Sequence, residues 1–199
     1  RVTCESSQTL AHSGHSSLAC HGEILNAADY SKFYNNTHYT NIMEGIEKDI
    51  DNKTATGSRI LDEMLNGGYE KDVITTIYGP AGAGKTVICI LAAMTIVKSG
   101  KKVIYVDSEG GFSVERLRQV ASSANEDYKE ILNGMIFLRP TTFDEQKKSF
   151  EKLKEIVNDK IGIIIVDSIA MLYRLELGKN EDFQEVNREL GRQIGYLTE

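Results

Sequence analysis

Residues Gly79-Pro80-Ala81-Gly82-Ala83-Gly84-Lys85-Thr86 form a complete Walker A phosphate loop. The loop lies between a β-branched run, Val73-Ile74-Thr75-Thr76-Ile77-Tyr78, and a nearly unbroken apolar run from Lys85 to Ser99. This arrangement leaves few options for the chain. The glycines let consecutive backbone N–H groups curl around phosphate oxygens, and the helix that follows presents its positive N-terminal end. Lys85 adds a full charge near the β and γ phosphates, and Thr86 supplies a hydroxyl for Mg²⁺. A nucleoside triphosphate is therefore the expected ligand. Strand, loop and helix form the first unit of an α/β fold, and Gly100 is placed to end the helix.

The same rhythm continues downstream. Val103-Ile104-Tyr105-Val106 reads as a second strand, and Ser113 can cap a helix striped by Val114, Leu117, Val120, Ala121 and Ala124. Met135-Ile136-Phe137-Leu138 makes a third strand, and Phe143, Gln146, Phe150, Leu153 and Val157 mark one face of a helix. Ile161 to Val166 makes a fourth strand, and a last helix carries Phe183, Val186, Leu190, Ile194 and Leu197. Alternation of this kind implies a mainly parallel sheet with helices on both faces. A helix between sheet strands normally returns the chain to another strand, so at least one more strand is expected beyond the last helix.

At 199 residues the chain suits one domain, and its net charge of -6 gives no global attraction for nucleic acid. Any DNA contact has to be local. The three cysteines are too few for a disulfide framework, no apolar run approaches a membrane span, and the start lacks a signal-peptide core. The expected compartment is cytoplasmic. Residues 1–52 are rich in Ser, Asn, His and Thr and read as a poorly structured or foreign extension, with the ATPase core over 53–199. His12, His15, Cys20 and His21 match no common zinc-finger spacing. The chain begins at Arg1 and stops at Glu199 within a helical pattern, which reads as a fragment or a foreign leader.

Ligands of open parallel sheets bind beyond the carboxyl ends of the strands. Three strands end in reactive groups: the first in the phosphate loop, the second in Asp107-Ser108-Glu109, and the fourth in Asp167-Ser168. Ile163-Ile164-Ile165-Val166-Asp167 is a Walker B pattern, in which Asp167 orients Mg²⁺ directly or through water. Hydrolysis also needs a carboxylate not taken up by the metal, a role open to Glu109 and Asp107. Glu109 is preferred because it lies farther beyond the strand end. Arg116 can stack on the adenine base or stand as a solvated helix-surface arginine.

Beyond the phosphate loop, Thr56-Gly57-Ser58, Leu61-Asp62, Leu65-Asn66-Gly67-Gly68 and Tyr78-Gly79-Pro80 together resemble the ATPase core of the RecA/RadA recombinase family. Tyr105 to Phe112, Glu115-Arg116-Leu117, Asp167-Ser168-Ile169, Tyr173-Arg174 and Asn187 to Gln193 sharpen the resemblance toward its archaeal RadB-like paralogues, over about residues 42 to 199. The resemblance implies a RecA-type P-loop fold, incomplete at the C-terminus. It also implies ATP and Mg²⁺ as cofactors, weak hydrolysis, DNA binding, and a part in homologous recombination and DNA repair. Glu109 and Lys85 take the catalytic positions, and Thr86 and Asp167 the metal positions.

The implied partners are DNA, recombination or repair proteins, and further copies of the chain. DNA contacts fall around Arg174 to Glu185 and in parts of the family absent here. The family's helical N-terminal domain and Phe-x-x-Ala motif are not visible in residues 1–52, and its polar γ-phosphate sensor lies past Glu199. Two other readings compete: a KaiC-like regulatory ATPase, which calls for paired glutamates after the second strand, and a mediator that uses ATP only as a conformational ligand.

Overall fold

The computed structural model describes residues 2–6, 52–179 and 183–198. A unit comprising residues 1–7 and 54–199 is built on a five-stranded parallel sheet. Its strands are β1 (Val2–Ser6), β2 (Thr75–Gly79), β3 (Lys102–Asp107), β4 (Met135–Leu138) and β5 (Ile161–Asp167), in the spatial order β2-β1-β5-β3-β4. All five carboxyl ends therefore lie on one edge. Eight helices are described: α1 (Arg59–Met64), α2 (Lys85–Lys98), α3 (Val114–Ser123), α4 (Tyr128–Asn133), α5 (Phe143–Glu151), α6 (Leu153–Ile156), α7 (Ala170–Leu177) and α8 (Phe183–Gly195).

The alternation of strand side chains creates two cores. On one face Val103, Tyr105, Met135, Ile163 and Ile165 pack against α2, α3 and α4 through Cys89, Ile90, Ala93, Leu117, Ala121 and Ile131. On the other face Ile104, Val106, Ile164 and Val166 meet Phe150, Leu153, Ile169 and Leu197. Strands β3 and β5 are buried on both sides, which is why they read as unbroken apolar runs. Helix α2 carries six buried residues, as its composition demands, and Gly100 beyond its end adopts φ +84°. Among the described residues no helix is long and apolar enough to cross a membrane.

Several details differ from the sequence reading. Val2–Ser6 pairs in parallel with β2 (Ser6 beside Gly79) and with β5 (Cys4 beside Asp167), whereas the sequence places it in an unstructured leader. The rest of that leader, including His12, His15, Cys20 and His21, lies outside the described residues. The helix expected through Val157 divides into α5 and α6, leaving Val157 exposed. Phe183, read as part of the α8 stripe, is 57% exposed because it stands at the helix start, before Val186 and Leu190 reach the Phe143–Leu172 cluster. Helices α7 and α8 take up Arg174–Leu177 and Phe183–Glu185 of the anticipated Arg174–Glu185 loop, and its residues 180–182 lie outside the described set.

The Thr56-Gly57-Ser58 signature serves the fold. Thr56 is fully buried, its N–H donates to Asp62 Oδ1 at 2.7 Å, and its hydroxyl accepts from the Ser58 N–H at 3.1 Å. Gly57 adopts φ +84°, and a Cβ there would lie 2.6 Å from Thr95 Oγ1 and 2.7 Å from the Leu91 carbonyl oxygen on α2. Gly57→Ala therefore combines a left-handed backbone with a clash against helix backbone. Thermal unfolding should show a loss on the order of 3 kcal/mol, a Tm lower by about 6–12 °C. A wild-type Tm would refute this account of the glycine.

Candidate nucleotide site

The phosphate loop links the end of β2 to α2. Gly82 and Gly84 adopt φ +78° and +88°, and nothing lies within 4 Å of a Cβ built on either. Backbone conformation rather than space therefore requires glycine at both. The Ala83 N–H donates to the Pro80 carbonyl at 3.2 Å, and Lys85 Nζ donates to the carbonyls of Gly79 and Pro80 at 3.0 and 2.9 Å. The lysine head thus lies against the loop, and Thr86 follows in the first turn of α2.

Strand β1 separates β2 from β5, an offset of about 10 Å at ordinary strand spacing. The loop and the first turn of α2 cover that offset, and Thr86 Oγ1 donates to Asp167 Oδ2 at 2.8 Å. The hydroxyl of fully buried Tyr105 donates to the same oxygen at 3.0 Å. The sequence assigned no site role to Tyr105. A tyrosine inside an aliphatic strand is the available signal, because a buried phenol needs a partner.

Burial pushes the Asp167 carboxyl above the usual range. Hydrogen bonds from Thr86 and Tyr105 act against that rise, and the nearby charges of Glu109 and Asp107 add to it. A raised acid pKa in the folded state makes a stabilising contribution below the ordinary carboxylate range, and that contribution is lost as pH rises through the raised value. Without a cation, ionised Asp167 is therefore a cost at neutral pH. Asp167→Asn, whose amide oxygen can still accept from Thr86 and Tyr105, should melt above wild type at neutral pH without ligand and converge with it in acid. Any added stability from Mg²⁺-nucleotide should shrink in the same variant. Melting curves at two pH values, with and without ligand, check both signs.

This oxygen pair fits Mg²⁺, a hard cation that takes few protein ligands and completes its shell with phosphate and water. Among the described residues no group of three or more His, Cys, Asp or Glu side chains could hold a metal.

The loop after β3 carries the other carboxylates. Asp107 Oδ1 accepts from the Gly111 N–H at 3.0 Å, and its Oδ2 lies 3.8 Å from Arg139 Nε. The buried Asp107 thus closes its own loop. Gly110 turns the chain at φ +67°, and Phe112 anchors the loop by packing on Tyr105 and Phe137 at centroid distances of 5.2 and 4.6 Å. A Cβ on Gly111 would stand 3.7 Å from Thr86 Oγ1, so the loop lies against the start of α2. Glu109 projects farther out, and its Oε1 accepts from Ser168 Oγ at 2.6 Å. Beside it opens a cavity of about 410 Å³, lined by Arg139, Thr141 and Leu172 among others. Ser113 caps α3 by accepting from the Arg116 N–H at 3.0 Å, and Arg116 is exposed in the first turn. The structure thus gathers Lys85, Thr86, Asp167 and Glu109 at one sheet edge and leaves Arg116 on an adjoining surface.

A phosphate loop joined through its threonine to a strand-end aspartate, on a parallel sheet with helices on both faces, defines a P-loop NTPase of the RecA type. The chain matches the Rad51 family over residues 48–199 and belongs to it as a RadB-like member. It is 45% identical over 139 residues to a DNA repair and recombination protein RadB of Methanococcus maripaludis, covering 69% of this chain and 62% of that protein. It is 39% identical over 150 residues to the protein of the same name from Methanococcoides burtonii, covering 75% and 65%. A crystal structure of the RadB recombinase superposes with TM-score 0.62 at 41% identity, covering 72% of this chain and 62% of that one. The chain therefore spans somewhat less than two thirds of the length of these relatives.

Proposed function

We propose that this protein binds ATP with Mg²⁺ and hydrolyses it slowly in the service of DNA recombination and repair. The observation that carries this reading is the 2.8 Å bond between Thr86 and Asp167, which joins the phosphate loop to the strand-end carboxylate beside Glu109. In this reading Gly79 to Thr86 hold the phosphates through backbone N–H groups, and Lys85 adds its charge at the terminal phosphates. Thr86 and Asp167 hold Mg²⁺, Asp167 directly or through water, and the ion neutralises charge on the phosphate oxygens when bound. Glu109 orients a water and accepts its proton, and Arg116 lies along the adenine.

The proposed partners are DNA, recombination or repair proteins, and further copies of the chain, in the cytoplasm. The names of the relatives support a recombination role, and the pairing of charges on α8 supports a modest share for this portion in DNA contact. Arg188 and Arg192 on α8 are paired with Glu185 and Glu189 and offer little uncompensated charge to phosphates. Only one glutamate, Glu109, follows β3, which disfavours the KaiC-like reading.

Measuring ATP turnover and ATP affinity of the full-length protein, with and without single-stranded DNA, tests the reading. Slow, Mg²⁺-dependent turnover is the expected result. Binding without turnover, with ATP altering affinity for DNA or a partner, would assign the mediator role instead. Absence of nucleotide binding would overturn both.

A further inference from the structure

We infer that Ser168 is a positioning residue for hydrolysis, holding the Glu109 carboxylate in its working orientation; the inference rests on the reading of Glu109 given above. Glu109 stands on an exposed loop and has three side-chain torsions, so its carboxylate has many orientations available. Its charge is also felt at Asp167, so the two carboxylates repel one another. Opposing this is a short hydrogen bond: Ser168 Oγ donates to Glu109 Oε1 at 2.6 Å.

The donor is itself immobilised. Ser168 is fully buried, and its N–H donates to Ser108 Oγ at 3.0 Å while Ser108 Oγ donates to the Ser168 carbonyl. The Ser108 N–H also donates to the Asp167 carbonyl at 3.0 Å. These bonds extend the pairing of β3 and β5 one residue past Asp107 and Asp167, through side chains rather than a regular ladder. The Ser168 hydroxyl therefore sits at a position set by the sheet, and the exposed carboxylate is referred to it.

A neutral hydroxyl suits this task. It occupies Oε1 and leaves Oε2 to accept from water, and it carries no charge that would neutralise the base. The sixty-residue separation of the partners explains why Asp167-Ser168 and Asp107-Ser108-Glu109 act together without any local signal of it.

Ser168→Ala should lower kcat by between about 10- and 100-fold, with KM for ATP and equilibrium ATP affinity unchanged, because the loss falls on orientation alone. Ser168→Cys leaves no cavity, with a slightly larger atom in place of the hydroxyl oxygen, while weakening the donor, and should show the same split, which covers the case that the alanine variant folds poorly. In a Glu109→Gln background, removal of the Ser168 hydroxyl should cost nothing further, since it acts only through that carboxylate. Wild-type kcat in both Ser168 variants, alongside an inactive Glu109→Gln, would overturn the inference and leave the role of Glu109 intact. An equal loss in the presence and absence of the Glu109 carboxylate would also overturn it, by showing a merely structural effect. Full turnover by Glu109→Gln would instead overturn the role of Glu109 and the inference with it.

Discussion

A Lys85→Ala variant binds ATP at least about 100-fold more weakly than wild type and shows no measurable turnover. Lys85 is the one cation of the phosphate loop, and its Nζ lies 2.9–3.0 Å from the carbonyls of Gly79 and Pro80. Charge-assisted hydrogen bonds contribute about 1.5–3 kcal/mol each, and losing contacts to two phosphates amounts to roughly two orders of magnitude in affinity or more. The same substitution removes the donor that lies across the loop carbonyls, so the ligand-free variant should also melt slightly lower. Titration of ATP by calorimetry measures the affinity, and the ATP-dependent rise in Tm gives an independent reading of it. Wild-type affinity in this variant would remove the basis for placing the triphosphate at Gly79 to Thr86.

Glu109→Gln produces the second large effect, and it falls on a different quantity. The amide keeps the size of the side chain and can still accept the hydrogen bond from Ser168, but it cannot take a proton from water. Loss of a general base costs about 100- to 10,000-fold in rate. ATP affinity should stay within a few-fold of wild type, because the substitution keeps the size of the side chain and its hydrogen bond from Ser168 and leaves Lys85 and the loop backbone unchanged. Turnover under saturating ATP, measured beside equilibrium binding, separates the two variants: Lys85→Ala fails at binding and Glu109→Gln at chemistry. A Glu109→Gln enzyme that turns over at the wild-type rate would remove the carboxylate from the mechanism.

The legible parts of the fold are those with local causes. The run Met135–Leu138 is a strand with those same bounds, and α2 begins at Lys85 and ends at Lys98, just before the glycine that can leave the helix. Ser113 was recognisable as a cap because its hydroxyl serves the N–H three residues on. Gln146 was readable as part of an apolar stripe, but not why an amide belongs there. It is fully buried and donates to Gln193 Oε1 at 2.9 Å, a partner on another helix. Val2–Ser6 carries only one aliphatic residue in five, and nothing local marks it as a strand. Its place between β2 and β5 depends on the hydrogen-bonding edges that those strands present.

The sequence by itself determined the phosphate loop, the strand-end carboxylates and the parallel sheet that brings them to one edge, because each follows from spacing along a few residues. Only the tertiary structure decided which of those groups bond to one another. Asp107 closes its own loop, Tyr105 and Thr86 share one oxygen of Asp167, and Ser168 holds Glu109. The physical reason is register. Hydrogen bonds of under 3.5 Å between residues 59 to 81 positions apart depend on how strands pair and where a helix starts above them, and no local pattern records either.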